Sequence, residues 1–302
     1  MDKATLSNPW LAASQGDVQA LQALFRLGAD IIATDANGHT IAHLAASVGH
    51  IEVLQALYRF GNTARESLHI ATGPHGYAPA HLAARSGQVE VLQVLYEFGS
   101  ATRSSLHIPS GRHGFTPAYL AAEDGRVEVL QTLHSFGGEA RESLHMPTGP
   151  YGFTLAHLAV QVDQVPVLRA LSKLGGAARD SLRGCAGPHE FTPAHVAAYV
   201  GNVEALQALH DFGGAARASL YLPVGQDQYT PAHAAAQAGQ VEVLRVLHGL
   251  GDAVQASLHA RTGPHGFTPA HVAALSDQAE VLQVLYDLGG LTRASLYVPA
   301  GK

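Results

Sequence analysis

The sequence contains few of the residues that crosslink a chain or anchor it in a membrane. Among its 302 residues there is one cysteine, Cys185, and one tryptophan. A single cysteine excludes an intrachain disulfide and favours a reducing compartment. The segment Met1–Ser7 has no apolar signal-peptide region, and the apolar runs elsewhere are too short and interrupted to span a bilayer. We therefore predict a cytoplasmic protein without a membrane partner, or one secreted by a specialised system without a cleaved signal peptide.

Charged residues and catalytic motifs are also scarce. Only 14% of the residues are charged, and the net charge of -6 disfavours nucleic acid, because binding phosphates needs a clustered basic face. The sequence has no Gly-x-Ser-x-Gly elbow, Walker loop or His-Glu-x-x-His motif, and no identifiable base accompanies Cys185. We therefore predict a protein that is not an enzyme, needs no cofactor and does not bind nucleic acid.

A repeat with a period of 38 residues accounts for most of what the sequence does contain. Each copy opens on an aromatic residue and continues through variants of Thr-Pro-Ala-His-Leu-Ala-Ala and Gly-Gln-Val-Glu-Val-Leu-Gln-Val-Leu. Self-similarity at such a period is typical of stacked arrays, in which each unit buries its apolar face against its neighbours. The aromatic row that heads the copies consists of Tyr77, Phe115, Phe153, Phe191, Tyr229 and Phe267.

A four-residue motif follows this aromatic row. Its clearest copies are Thr40-Ile41-Ala42-His43, Ala78-Pro79-Ala80-His81, Thr116-Pro117-Ala118-Tyr119, Thr192-Pro193-Ala194-His195, Thr230-Pro231-Ala232-His233 and Thr268-Pro269-Ala270-His271. The motif resembles the ankyrin repeat, whose signature Thr-Pro-Leu-His-x-Ala opens a helix-turn-helix unit of about 33 residues. The resemblance covers nearly the whole chain. It implies an all-α solenoid of ankyrin-like helix-turn-helix repeats with projecting hairpin fingers, acting as a non-enzymatic scaffold that binds another protein.

We expect one repeat domain over residues 1–302. The linker from Gly28 to Thr40 spans 12 positions, whereas the later linker from Gly99 to Thr116 spans 17. The added residues, Ala101–Leu106 and their equivalents, predict one more helical turn, and the Leu-His-Ile-Pro text after them predicts an extended strand before the finger turn. The expected units are 1–38, 39–76, 77–114, 115–152, 153–190, 191–228, 229–266 and 267–302.

Local signals predict two helices in each unit, which we name helix A and helix B. Thr116 suits an N-cap and Pro117 suits the first helical position, so helix A should run from Pro117 to about Glu123. Gly125 should then end it in the left-handed conformation. Apolar residues at three-residue steps around Leu130 predict an amphipathic helix B with one buried stripe.

The unit at 153–190 departs most from this pattern. Leu155 replaces the proline of helix A, Pro166 lies in the first turn of helix B, and Asp163 replaces the glycine between the helices, as Asp277 does later. Aspartate tolerates the left-handed conformation less well than glycine does. We expect this unit to form the weakest internal interface.

Duplication explains most of the 19 histidines, because nearly all of them fall into four repeat registers. The resemblance implies that the helix A histidine bonds its own or an adjacent helix. Two finger histidines, such as His69 and His75, could face each other and bind a metal, but no third ligand is evident. We predict no metal site, and a metal- or small-ligand-binding protein remains the alternative. The helix A histidines are His43, His81, His157, His195, His233 and His271.

An arginine also recurs in the inserted segment. We expect each copy to bond carbonyls at the end of helix B, where cations are favoured. An arginine ladder for an acidic partner is the alternative interpretation. The row is Arg65, Arg103, Arg141, Arg179, Arg217 and Arg293, with Gln255 at the remaining position.

Positions that change between copies are the candidates for recognition, since constant positions build the stack. They lie at the end of helix A and at the finger turn, and the resemblance implies that both sets line a concave face that binds protein partners. Aromatic side chains are common anchors of such interfaces. Neutral drift is the alternative for the changing positions, and packing on the next finger is the alternative for the aromatic row. The candidate partner-binding residues are Tyr77, Arg85, Phe115, Glu123, Tyr151, Phe153, Gln161, Phe191, Tyr199, Asp227, Tyr229, Gln237, Phe267 and Leu275.

Two further expectations come from composition and from the last unit. The Ala/Gly-rich, Lys-poor composition suggests a host-directed bacterial effector that uses the same surface as an alternative function. Terminal units of a solenoid normally carry a polar outer face, which the last unit lacks. We expect either that the protein continues past Lys302 or that it self-associates through Leu275, Leu291 and Tyr297.

Overall fold

The computed structural model describes residues 8–149, 151–187 and 189–300, and these form a series of short α-helices. The chain divides into two compact units, residues 1–150 and 151–302. The boundary falls at the start of the repeat that departs most from the common sequence pattern.

Helices of five to ten residues follow one another through both units. The first unit contains α1 (Pro9–Ser14), α2 (Val18–Arg26), α3 (Ile41–Val48), α4 (Ile51–Arg59), α5 (Asn62–Glu66), α6 (Pro79–Ser86), α7 (Val89–Glu97), α8 (Ser100–Ser104), α9 (Pro117–Glu123), α10 (Val127–Phe136) and α11 (Gly138–Glu142). The second contains α12 (Leu155–Gln161), α13 (Val165–Leu174), α14 (Gly176–Asp180), α15 (Pro193–Val200), α16 (Val203–Asp211), α17 (Gly214–Ala218), α18 (Pro231–Gln237), α19 (Val241–Gly249), α20 (Asp252–Ser257), α21 (Pro269–Leu275), α22 (Ala279–Asp287) and α23 (Gly290–Ala294), with a 3₁₀ turn at Ser295–Tyr297. The predicted all-α repeat solenoid is confirmed.

Helix A forms where its local signals predict it. In α9 the Thr116 hydroxyl accepts a hydrogen bond from the Tyr119 backbone N–H at 3.1 Å, and Pro117 occupies the first helical position. The helix ends at Glu123, and Gly125 has a φ of 68°. In α6, the buried alanines Ala80, Ala83 and Ala84 let the helix pack against both α3 and α9.

Helix B supplies the larger core side chains. Val129, Leu130 and Leu133 of α10 are fully buried, whereas Glu128 and Gln131 are exposed, so helix B has the predicted buried stripe. Helix α10 packs against α7, its equivalent in the preceding repeat. Within each unit, the core is therefore a row of leucine and valine side chains between successive B helices, beside a row of alanines between successive A helices.

The inserted residues form the predicted extra helical turn, which we name helix C (α5, α8, α11, α14, α17, α20 and α23). The predicted strand after it is wrong. Leu106 is fully buried, and the N–H groups of His107 and Ile108 bond the Ser104 carbonyl at 3.2 and 3.1 Å, so this segment completes helix C instead of extending. The finger is closed by one antiparallel bridge between Ser110 and Phe115, and no strand occurs in the ranges described.

Among the residues that the structure describes, four non-glycine residues have a left-handed backbone, and all four lie in the second unit. Asp163 (φ 58°) and Asp277 (φ 56°) were expected from the sequence, whereas Glu190 (φ 54°) and Gln228 (φ 53°) were not. The latter two occupy the finger-turn register that holds glycine in other repeats. The described part of the first unit has only glycine at positive φ.

Candidate functional site

The aromatic row is held in place by ring stacking on helix A. Phe191 lies 5.3 Å from the ring of His195 and 5.4 Å from that of His189 at the finger turn, measured between centroids. Phe153 stacks on His157 at 5.4 Å in the same way, and Tyr229 on His233 at 5.2 Å. Tyr77 is only 7% exposed and serves packing, whereas the other members are half-buried and keep an accessible edge.

The helix A histidines join consecutive repeats, as the resemblance implied. The Nδ1 atom of His195 lies 2.7 Å from the Thr192 hydroxyl, and its Nε2 atom lies 2.8 Å from the Tyr229 carbonyl of the next repeat. Since a carbonyl only accepts, the Nε2–H must donate and the Thr192 hydroxyl must donate to Nδ1. His43, His81, His157 and His233 also place Nε2 against the carbonyl of the next aromatic residue, at 2.7 to 3.1 Å.

Burial keeps these imidazoles neutral. The side chains of all five are inaccessible to solvent, and this desolvation lowers the pKa of each to about 4, although the carbonyl contact opposes the shift. A group that loses its proton so readily suits a fixed structural hydrogen bond near pH 7. The histidines therefore position the aromatic row and do not themselves offer an accessible site.

A groove of about 540 Å³ opens in the second unit between the fingers and the ends of helices A. Phe153, Phe191 and Tyr229 form its finger side, and Tyr199 at the end of α15 is 48% exposed beside it. Seven of the residues predicted from the sequence line this one groove: Phe153, Gln161, Phe191, Tyr199, Asp227, Tyr229 and Gln237.

The charge of the groove is negative. Glu190 and Asp227 line it as exposed carboxylates, and its described lining contains neither lysine nor arginine. Burial raises the pKa of Tyr229, and the Asp227 carboxylate adds to this shift. The groove therefore combines aromatic edges with acidic charge.

The corresponding face of the first unit is different. The Arg85 guanidinium bonds the Asp124 carboxylate at 3.3 Å. Tyr119 stacks on Phe115 of the aromatic row, and burial, followed by the Glu123 carboxylate, raises the pKa of Tyr119 to about 12. A smaller pocket of about 350 Å³ lies between two fingers, where it is lined by Tyr77, Phe115, His75, His113 and Arg112 among others.

The remaining candidates lie outside the main groove. Tyr151 is exposed, packs its ring against Phe153 at 5.8 Å and lines an adjoining pocket of about 220 Å³. Phe267 stacks on His271, and Leu275 at the end of α21 is 70% exposed. The structure thus brings together the predicted residues of three consecutive repeats, and leaves those of the last repeat apart.

The arginine row has the structural role that was expected. Arg65 and Arg103 bond the carbonyls of Tyr58 and Tyr96 in helix B, and each guanidinium lies 4.3 Å from the centroid of that tyrosine ring. The same carbonyl bond is made by Arg141 to His134, by Arg217 to His210 and by Arg293 to Tyr286, while Arg179 bonds the Phe212 carbonyl of the next repeat.

The finger histidines occupy separate environments. His75 stacks on Tyr77 at 5.6 Å, whereas His69 faces the next helix C in a pocket with Phe98 and Ser100. These contacts give no support to the alternative in which His69 and His75 share a metal. His107 instead lies 2.9 Å from the Glu139 carboxylate. Over 8–149, 151–187 and 189–300, no three histidine, cysteine or acidic side chains cluster as metal ligands would.

Sequence reasoning missed Glu190 and Gln226 as parts of the groove. Gln226 stands where a proline or arginine stands in most other fingers, and Glu190 stands where most have glycine. A departure from glycine at a turn was therefore the available signal for Glu190.

Comparison with known families agrees with the geometry. A family model described as ankyrin repeats (3 copies) matches residues 10–104 and 194–293. No curated protein matches the chain significantly. In the part of the chain that the structure describes, every helix falls short of the length and apolar character needed to cross a membrane.

Proposed function

Because the chain belongs to the ankyrin repeat family, we propose that it is a non-enzymatic scaffold that binds a partner protein through the groove of the second unit. Repeats of this family are generally protein–protein interaction modules. The observation that carries the proposal is the convergence of Phe153, Phe191, Tyr229 and Tyr199 on one open groove.

The physical character of the groove supports this role. The stacked rings are already fixed on helix A. Binding of a partner against them therefore costs little side-chain entropy in this protein. Tyrosine and phenylalanine edges offer large contact area, and partly exposed Tyr199 also offers a hydroxyl. In the first unit, Arg85, Phe115 and Glu123 stay proposed contacts of a separate surface, whereas Tyr77 is too buried to take part.

Paired variants test the assignment. Tyr199→Ala combined with Phe191→Ala should weaken capture of a partner at least tenfold, about 1.4 kcal/mol, because both remove aromatic contact area. The measurement is affinity purification with mass spectrometry, followed by titration of the purified partner. Thermal melts must show that the double variant stays folded.

Glu204→Lys provides the control for this experiment. Glu204 is exposed on α16 and does not line the groove. The control variant should retain capture, and equal loss in both variants would contradict the placement of the binding surface.

A second candidate is self-association through the last repeat. Leu275, Leu291 and Tyr297 are 70%, 69% and 74% exposed, which is unusual for three large apolar side chains in one repeat. Sedimentation should show concentration-dependent association that is lost in Leu275→Ser with Leu291→Ser. A monomer at all concentrations would remove this candidate without affecting the groove.

A further inference from the structure

We propose that the groove of the second unit selects a segment carrying arginine or lysine next to an apolar side chain. The inference rests on the proposed function and adds the chemistry of the partner. Three observations carry it: the placement of two carboxylates, the backbone strain at one of them, and the aromatic surfaces beside them.

The two carboxylates lie on neighbouring fingers. Glu190 belongs to one finger turn and Asp227 to the next, and the fingers touch through their backbones, since a Cβ atom on Gly225 would lie 2.6 Å from the His189 carbonyl. Both side chains are exposed, and no cationic side chain of the described residues lies within 4.0 Å of either. Arg183, on the finger of Glu190, instead bonds Asp180 at 3.3 Å. A positive charge from a partner would therefore meet two unpaired carboxylates.

Glu190 holds its position against backbone preference. Its φ of 54° lies in the left-handed region, where Gly152 and Gly266 stand at the same register with φ values of 63° and 58°. A non-glycine residue there is strained, and such strain concentrates at functional sites. Gln228, at the same register of the next finger, shares the strain, but it bonds the Gly225 carbonyl at 2.9 Å and does not line the groove.

The aromatic edges favour arginine over lysine. A guanidinium is planar, stacks on aromatic rings and forms paired hydrogen bonds with a carboxylate. Tyr199, Phe191 and Tyr229 supply the rings beside the two acidic groups. An apolar neighbour in the same segment would occupy the remaining aromatic surface.

Selection from a displayed library of random 12-residue peptides tests this inference on the full chain. We expect captured peptides to contain at least twofold more arginine and lysine than the starting library, with aspartate and glutamate depleted. One enriched synthetic peptide and its Arg→Gln counterpart then serve as defined probes in fluorescence anisotropy. The counterpart should bind at least threefold more weakly.

Charge-neutral variants locate the effect. Glu190→Gln and Asp227→Asn should each weaken the enriched peptide about two- to fivefold at low salt, as expected for exposed ion pairs. The effect should shrink in about 0.5 M salt because the charges are screened. Glu204→Gln, an exposed carboxylate of the same unit outside the groove, should bind the peptide as the unmodified chain does.

Glycine variants separate strain from charge. Glu190→Gly should raise the thermal transition temperature because it removes the backbone strain. It should also weaken binding of the peptide because it removes the carboxylate. Gln228→Gly should raise the transition to a similar extent and leave the affinity unchanged. Equal affinity of Glu190→Gly and the unmodified chain would overturn the role of Glu190.

The outcomes distinguish this inference from the proposed function. Peptide capture that depends on Tyr199 overturns the inference alone if the captured peptides are not enriched in basic residues, or if they are enriched in acidic residues. Equal loss in Glu204→Gln would show a general charge effect and would also overturn it. If Tyr199→Ala abolishes the capture of no peptide, the groove is not a peptide-binding site. That result would count against the inference and against the proposed function.

Discussion

The two compact units are built from the same repeat, yet different residues occupy equivalent turns in the two units. In the first unit the turn between helices A and B uses Gly49, Gly87 and Gly125. In the second unit two of the equivalent turns use Asp163 and Asp277, and two finger turns use Glu190 and Gln228. The comparison teaches that the repeat tolerates backbone strain in the second unit, where the groove lies.

Their exposed faces differ in the same direction. Arg85 and Asp124 form an ion pair in the first unit, so the changing positions there are satisfied by each other. Tyr199 and Gln237 occupy the corresponding helix ends in the second unit and line an open groove. One scaffold thus carries a self-paired charged surface and an aromatic, acidic one. Four experiments test how far this difference extends.

The largest expected difference between the two units is their loss of stability at acidic pH. The second unit has three buried histidines, His157, His195 and His233, whereas the first has only His43 and His81 and carries Tyr119 at the third position. Burial lowers the folded pKa of each histidine to about 4 from 6.5, so the unfolded chain binds more protons between these values. Stability is therefore complete above pH 6.5 and falls as the pH drops towards 4. Linkage predicts a loss on the order of 2 kcal/mol per histidine between pH 7 and 5.

Hydrogen exchange corrected for intrinsic rates measures this difference. Peptides from α15 should lose more protection than peptides from α6 when the pH falls from 7 to 5. His195→Gln, whose amide can still donate to the Tyr229 carbonyl, should reduce the acid sensitivity of the second unit. Equal sensitivity of the two units would contradict the histidine count as its cause.

Matched core truncations should show that the difference does not extend to the core. Leu130 of α10 and Leu206 of α16 are both fully buried. Replacing either by alanine should lower the free energy of unfolding by about 2 to 5 kcal/mol. Urea unfolding followed by circular dichroism measures the loss, with exposed Gln131→Ala and Gln207→Ala as controls. A loss below about 0.5 kcal/mol for either leucine would place the core on the wrong face of helix B.

Exchanging turn residues should transfer the strain from one unit to the other. Asp163→Gly should stabilise the protein by about 1 kcal/mol, since glycine adopts the left-handed conformation freely. Gly125→Asp should destabilise it by a similar amount for the same reason. Differential scanning calorimetry measures both shifts. Opposite signs would mean that side-chain contacts of Asp163, such as its 3.0 Å bond from Asn202, outweigh the backbone term.

The Arg85–Asp124 ion pair of the first unit should make the smallest contribution to stability among the features tested. Arg85 and Asp124 have side chains 50% and 33% exposed, so solvent weakens their attraction. A double-mutant cycle with Arg85→Ala and Asp124→Ala should give a coupling of about 0.2 to 1 kcal/mol. High salt should reduce it further. A coupling of several kcal/mol would show that the first unit depends on this pair far more than its exposure indicates.

Much of the fold could be predicted because its signals are local. Thr116, Pro117 and Gly125 specify where helix A begins and ends, and the observed helix matches. The strand after helix C was predicted wrongly because Leu106 is drawn into the core and the following N–H groups complete the helix. The apolar sequence of this segment resembles that of a strand and carries no information about burial of Leu106.

The candidate site was predictable in part. Variation between copies predicted Tyr199 and Gln237 as partner contacts, because unchanged positions are those the stack requires, and both residues line the groove. It did not identify Glu190, which lines the groove together with Asp227 of the neighbouring finger. Nor could it show that Arg85 would be paired with Asp124 across the repeat.

The sequence by itself determined the repeat, its helices and the roles of the constant residues, because hydrophobic spacing, caps and turn residues act over a few positions. Only the tertiary structure decided which changing residues share a surface. Stacking brings residues 38 positions apart side by side, so three separate copies create the groove lined by Phe153, Phe191 and Tyr229. Its charge and its opening result from that juxtaposition, which no single repeat contains.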